Sequence, residues 1–160
     1  ETYDKRHLFR MAKEHETFEP GCRRVVVKLK GWRVLPLVCY DLRFPVWSRN
    51  GGGQGDLDYD VALYVANWPI ARRQAWSTLL RARAMENLCF CVGLNRVGVD
   101  GNGHPYGGES VALDFRGEPL VELGGEPLAA SVGLDLEALQ EYRERFPAWL
   151  DADGFTLNQH

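Results

Sequence analysis

The sequence is poor in long apolar runs. None approaches the about 20 residues that a membrane span needs, and the first residues hold no apolar core of the signal-peptide kind, so neither insertion nor export is expected. It also lacks a basic excess. Nineteen Lys and Arg stand against 22 Asp and Glu, giving a net charge of −3, and the cations are scattered, which argues against nucleic acid as a partner. Repeats and long low-complexity tracts are missing, which excludes solenoids and fibrous arrays. The cysteines, at 22, 39, 89 and 91, lack the spacing of a metal centre. Cys89 and Cys91 are one residue apart on an apparent strand and read as core, and Cys22 reads as a loop thiol. No metal is expected, and the setting is expected to be reducing, as in the cytoplasm.

What is present fits one soluble α/β domain of 160 residues with an ordinary apolar fraction of 45%. Strands are expected at Arg24 to Leu29, Trp32 to Cys39, Val61 to Ala66 and Leu88 to Val97. A hairpin follows, Ser110 to Phe115 with Pro119 to Leu123, split by Arg116-Gly117, and then a short strand at Ser131 to Leu134. The 3.6-residue period predicts helices over Ala71 to Asn87 and Leu136 to Arg145, the second with Asp135 as N-cap. Gly51-Gly52-Gly53-Gln54-Gly55 reads as a flexible loop.

Cys39 is the residue with the most chemistry to offer. The apolar run Val34-Leu35-Pro36-Leu37-Val38 stops at its thiol, and Tyr40-Asp41-Leu42-Arg43-Phe44-Pro45 then reads as a turn. At a strand tip, free backbone N–H groups of the following turn stabilise both a thiolate and a developing oxyanion. The competing reading is a small buried hydrophobe, the usual lot of a free cysteine.

Four segments in order carry a resemblance: Tyr3-Asp4-Lys5-Arg6-His7-Leu8-Phe9, Cys39-Tyr40-Asp41-Leu42-Arg43-Phe44-Pro45, Leu63-Tyr64-Val65-Ala66-Asn67-Trp68-Pro69 and Arg81-Ala82-Arg83-Ala84-Met85-Glu86-Asn87. Together with Arg143-Glu144-Arg145-Phe146-Pro147-Ala148-Trp149 they resemble the nitrilase (carbon–nitrogen hydrolase) superfamily nearly end to end, its bacterial omega-amidase branch above all. The resemblance implies a four-layer α-β-β-α sandwich, a homodimer, no cofactor, and hydrolysis of short 2-oxo dicarboxylic acid monoamides such as 2-oxoglutaramate and 2-oxosuccinamate. It assigns the nucleophile to Cys39 and the catalytic lysine to Lys5, and makes Glu14 the glutamate that orients the lysine. Tyr40, through its backbone N–H, Asn67 and Trp68 would line the substrate site. Arg72 or Arg73 would take the substrate carboxylate, since guanidinium matches it with two parallel donors.

Other readings bear on the same residues. Lys5 and the two arginines fit a solvated surface equally well in isolation. Asp41 with Arg43, and Arg81 or Arg83 with Glu86, would brace strand ends. His7 or His104 beside Cys39 would suggest a thiol protease, but neither carries a protease signature. The family's general-base glutamate normally lies far upstream of the lysine, and Glu1 does not match it. The sequence opens as if inside a domain, so residues 1–160 are expected to be the C-terminal portion of a single hydrolase domain. A catalytically silent domain, or a relative acting on another amide or a nitrile, are the alternatives.

Overall fold

The computed structural model describes residues 1–51 and 56–157. Gly52 to Gly55, most of the expected glycine loop, lie outside the described residues.

Strands β1 (Val27–Leu29), β2 (Trp32–Val38), β3 (Val61–Ala66), β4 (Phe90–Asn95), β7 (Val111–Leu113) and β8 (Pro119–Glu122) form one sheet in the order β1-β2-β3-β4-β7-β8. β2, β3 and β4 run parallel, with Val34 opposite Val61 and Val61 opposite Phe90; the remaining pairs are antiparallel. Lys30 and Gly31, both at positive φ, make the tight turn between β1 and β2. The small hairpin of β5 (Val97–Val99) and β6 (Pro105–Gly107) stands apart from this sheet.

Helices lie on both faces of a mixed α/β fold. α2 (Arg73–Asn87) follows the short α1 (Pro45–Ser48) in sequence and presents Trp76, Leu80 and Ala84, one helical stripe and all essentially inaccessible to solvent. Burying each of the two large side chains contributes on the order of 1.5–3 kcal/mol. A Cβ added at Gly93 on β4 would fall 2.5 Å from Leu80 and 2.7 Å from Trp76, so helix and sheet meet there at a distance only glycine allows. On the other face α3 (Leu136–Arg145) sets Leu139 against Val61, Phe90 and Phe115. The Asp135 carboxylate accepts from Ala138 N at 3.0 Å, as its N-cap reading requires. Arg143 anchors the helix, donating to Asp60 (2.8 Å), Leu88 O and Tyr59 O. α3 leaves the ends of β3 and β4 uncovered: Val65 and Leu94 are 44% and 47% exposed. Among the described residues the expected four-layer sandwich is represented by one six-stranded sheet with its helices and by the separate two-stranded β5–β6 sheet.

Four expectations change. The first strand begins at Val27, because Arg24 turns to bond Asp58 and Arg49 O. The long fourth strand breaks in two: Leu88 adopts the left-handed conformation that closes α2, β4 ends at Asn95, and Val97 already belongs to the β5–β6 hairpin. α2 proper starts at Arg73, after a 3-10 turn over Ile70–Arg72. Residues 131–134 form no strand; three of the four are exposed and none pairs with a neighbour.

Candidate active site

Parallel strands deliver the site. β2, β3 and β4 end side by side, and the segments leaving their carboxyl ends, Cys39 to Arg43, Asn67 to Arg72 and Asn95 onward, converge around one open cleft of about 1340 Å³. This is where open α/β sheets place their ligands. Among the described residues no helix is long and apolar enough to cross a membrane, and no group of three or more His, Cys, Asp or Glu side chains is disposed to hold a metal.

Cys39 is the first residue past β2, at φ 45°, a left-handed conformation rare for a residue with a side chain. It begins a 3-10 turn, Cys39–Arg43, that reverses the chain at once and sets the thiol on the cleft wall. Its Sγ lies 3.9 Å from Asn67 O. Burial pushes the thiol pKa up; the nearby Lys5 ammonium and the Asn67 contact pull against it, while Glu14 and Asp41 add to the rise.

The N-terminal segment crosses the same cleft. Lys5 Nζ donates to Glu14 Oε2 at 2.5 Å, and the same oxygen accepts from Phe9 N at 2.8 Å. Glu14 thereby holds the lysine and closes the loop that carries it. Both side chains are mostly shielded, at 14% and 28% exposure, so this pair is not a loose surface contact.

Asp41 is the feature the sequence reading underrated. Its partner is not Arg43. The carboxylate is fully buried and accepts from Val38 N (3.0 Å), Tyr3 Oη (2.8 Å), His7 N (2.9 Å) and His7 Nδ1 (2.8 Å). Residues on both sides of Lys5 are thus tied to the turn that carries Cys39. Burial, then Asp41, push the Tyr3 hydroxyl pKa up, so it remains a donor. Trp47 Nε1 donates to Tyr3 Oη at 3.0 Å, and the His7 ring stacks on Phe44 at 3.8 Å. His7 therefore serves Asp41 rather than the thiol, and His104 sits exposed beyond β5; neither forms a Cys–His pair. From behind, Arg83 donates to Leu42 O at 2.6 Å and to Glu86 at 2.8 Å, the brace expected of it, whereas Arg81 bonds Gly117 O and Glu122 instead.

The expected substrate residues divide. Tyr40 lines the cleft, its ring against Phe9 at 4.9 Å. Asn67 is exposed, while Trp68 is 97% enclosed, tilted against Trp76 and pinned by Asn95, so little of it is open to the cleft. Arg72 lies over the Phe9 ring at 5.3 Å on the cleft wall. Arg73 turns away into a separate groove of about 410 Å³ beside α2 and pairs with Glu109 at 3.1 Å. Arg43, assigned only a bracing role from sequence, lies over Trp68 at 5.2 Å in the main cleft and meets no carboxylate among the described residues. The β5–β6 hairpin, with Asp100, His104 and Tyr106, forms a further wall. Gly101-Asn102-Gly103 between two short apolar stretches was the turn signal that would have found it.

A half-buried thiol at a strand end and a carboxylate-held lysine thus line one cleft. The chain belongs to the carbon–nitrogen hydrolase family, whose model matches residues 1–144. It is 58% identical over 158 residues to the omega-amidase YafV of Yersinia enterocolitica, covering 97% of this chain and 59% of that protein. It is 35% identical over 149 residues to the 2-oxoglutaramate amidase of Bacillus subtilis, covering 93% and 56%. In three dimensions it matches XC1258 of Xanthomonas campestris, described as a CN-hydrolase superfamily protein with an arsenic adduct in the active site. The TM-score is 0.94 at 53% identity, over 98% of this chain and 60% of that one. The chain thus spans about three fifths of the length of the relatives it matches.

Proposed function

We propose that the chain carries the nucleophile and lysine of an amidohydrolase acting on the terminal amide of short 2-oxo dicarboxylic acid monoamides, 2-oxoglutaramate and 2-oxosuccinamate among them. The observation that carries this reading is Cys39, set on its left-handed turn within the field of a lysine that Glu14 holds at 2.5 Å. The Cys39 thiolate attacks the amide carbonyl, and the oxyanion forms beside the Lys5 ammonium and the Tyr40 backbone N–H. The C–N bond breaks as the amide nitrogen takes up the proton that the Cys39 thiol released on forming the thiolate, ammonia leaves, and an acyl thioester remains. Water then adds to the thioester, the C–S bond breaks, and the acid departs. Glu14 orients Lys5 throughout. In the family this chain resembles, the base that activates water is a glutamate upstream of the lysine, a position Glu1 does not match. Arg72 and Arg43, on the walls of the cleft, are the cations available to the substrate carboxylate. Names borne by the omega-amidase and 2-oxoglutaramate amidase relatives support this substrate class.

The test is ammonia release from 2-oxoglutaramate by the intact protein, beside Cys39→Ala and Lys5→Ala. Each variant is expected to lose about 10³-fold or more in kcat while remaining folded. Arg72→Ala and Arg43→Ala should each raise KM by about 10- to 100-fold, the worth of one charged hydrogen bond to the carboxylate. Turnover that survives Cys39→Ala would end the thiol reading. Equal use of uncharged aliphatic amides would end the dicarboxylate reading.

A further inference from the structure

The cleft is larger than an ordinary small-molecule pocket, which holds about 300–1,000 Å³. Cysteine and lysine alone therefore cannot fix which acyl chain fits, and a wall near the thiol has to. The β5–β6 hairpin supplies one, and it is rigidly mounted. Asn95 accepts from Trp68 N (2.7 Å) and donates to Trp68 O (3.1 Å) and Gly108 O (2.7 Å), tying the hairpin base to the turn after β3. Arg96 N donates to Ala66 O at 3.1 Å, and Gly107 lies so near Ile70 that a Cβ there would approach it to 3.2 Å.

At the tip the Asp100 carboxylate accepts from Asn102 N and His104 N, each at 2.9 Å, which closes the turn. Its second oxygen accepts from Tyr106 Oη at 2.9 Å, while the Arg96 guanidinium covers the Tyr106 ring at 5.0 Å. Tyr106 is thus fixed at its hydroxyl and on one ring face, within the cleft that contains Cys39. A tyrosine held at two points serves poorly as a flexible lid and well as a fixed wall.

We infer that Tyr106 is a specificity-determining residue of the proposed amidase, its ring limiting the length of the acyl chain accepted at Cys39. Asp100 and Arg96 are its positioning residues. The inference rests on the amidase reading, and its test keeps the two apart.

In the intact protein, kcat/KM is measured for 2-oxoglutaramate and for its six-carbon homologue in wild type, Tyr106→Ala, Tyr106→Phe and Asp100→Asn. The ratio between two substrates on one preparation does not depend on how much of a variant folds. Tyr106→Ala should shift the ratio toward the longer substrate by about 10-fold or more, the scale of one methylene in a shaped pocket. Tyr106→Phe, which keeps the ring, should hold it within about twofold, and Asp100→Asn should fall between. Cys39 alkylation gives the same comparison without turnover: 2-bromohexanamide should gain on bromoacetamide in Tyr106→Ala by a similar factor. An unchanged alkylation ratio in Tyr106→Ala overturns the wall, even if every rate falls together. Failure of wild type to release ammonia from 2-oxoglutaramate overturns the amidase reading, and the alkylation ratio still decides the wall.

Discussion

Replacing Asp41 with asparagine tests whether the lysine segment and the turn that carries Cys39 are one mechanical unit. The carboxylate collects four donors from Val38, Tyr3 and His7 in a site closed to solvent. Asparagine keeps one acceptor oxygen and places an N–H₂ where the other was, so at least one donor is left facing a donor. The loss of a charged hydrogen bond together with an unsatisfied buried group sets the cost at about 2–3 kcal/mol. For a chain of this length that lowers Tm by roughly 5–10 °C. Alanine removes the carboxylate altogether and should cost about 3–5 kcal/mol. The second consequence is chemical. Lys5 opposes the rise of the Cys39 pKa more strongly than Asp41 adds to it, so freeing the lysine segment outweighs loss of the Asp41 charge. Asp41→Asn should therefore move the pH profile of Cys39 alkylation upward as well as lowering Tm. Thermal unfolding and iodoacetamide labelling read the two effects separately. A melting point within about 2 °C of wild type, with the alkylation profile in place, would refute the tie.

Lys5→Gln should raise the thiol pKa without a large change in Tm, slowing labelling at neutral pH and restoring it at alkaline pH; identical profiles would remove Lys5 from the thiol's field. At Asp60 burial alone would raise the pKa, but hydrogen bonds from Arg33 and Arg143 outweigh it, and the net shift is downward. A carboxylate with a depressed folded pKa stabilises above its unfolded value, and that contribution is lost as pH falls through the folded value. Asp60→Asn should thus cost about 3–5 kcal/mol at pH 7, where it strands the buried Arg143, and clearly less at pH 3, as urea unfolding at the two pH values will show. An equal cost at both would mean the ion pairs contribute nothing.

Local pattern carried the elements whose partners are near in sequence or whose periodicity is strong. β3 and α3 appear at their expected boundaries, and Asp135 caps as its side chain dictates. The strand assigned to residues 131–134 fails because apolar content alone does not pair a strand, and no neighbour lies beside it. The break at Asn95 was hidden for the opposite reason: β4 and β5 read as one continuous run, and the interruption comes from a side chain bonding across to Trp68 and Gly108. Cys39, Lys5 and Glu14, far apart in sequence, line the same cleft. Arg72 and Arg73 were indistinguishable in sequence, and the onset of α2 separates them, sending one to each groove. Asp41 and Arg43 could not be sorted either, since two neighbours of opposite charge invite pairing. Only the long-range approach of Tyr3 and His7 shows that Asp41 is already engaged.

The backbone at Cys39 sets a condition on its own inheritance. A side chain in the left-handed region sits about 1–2 kcal/mol above its comfortable conformations, and only glycine escapes that penalty. A mutation that removes the thiol by leaving glycine in its place would therefore relax the chain, while valine or isoleucine would strain it further. Folding by itself favours losing this cysteine. On the proposed reading, selection for catalysis is what holds it at position 39, and descendants freed from that selection should drift first toward glycine there, keeping the architecture.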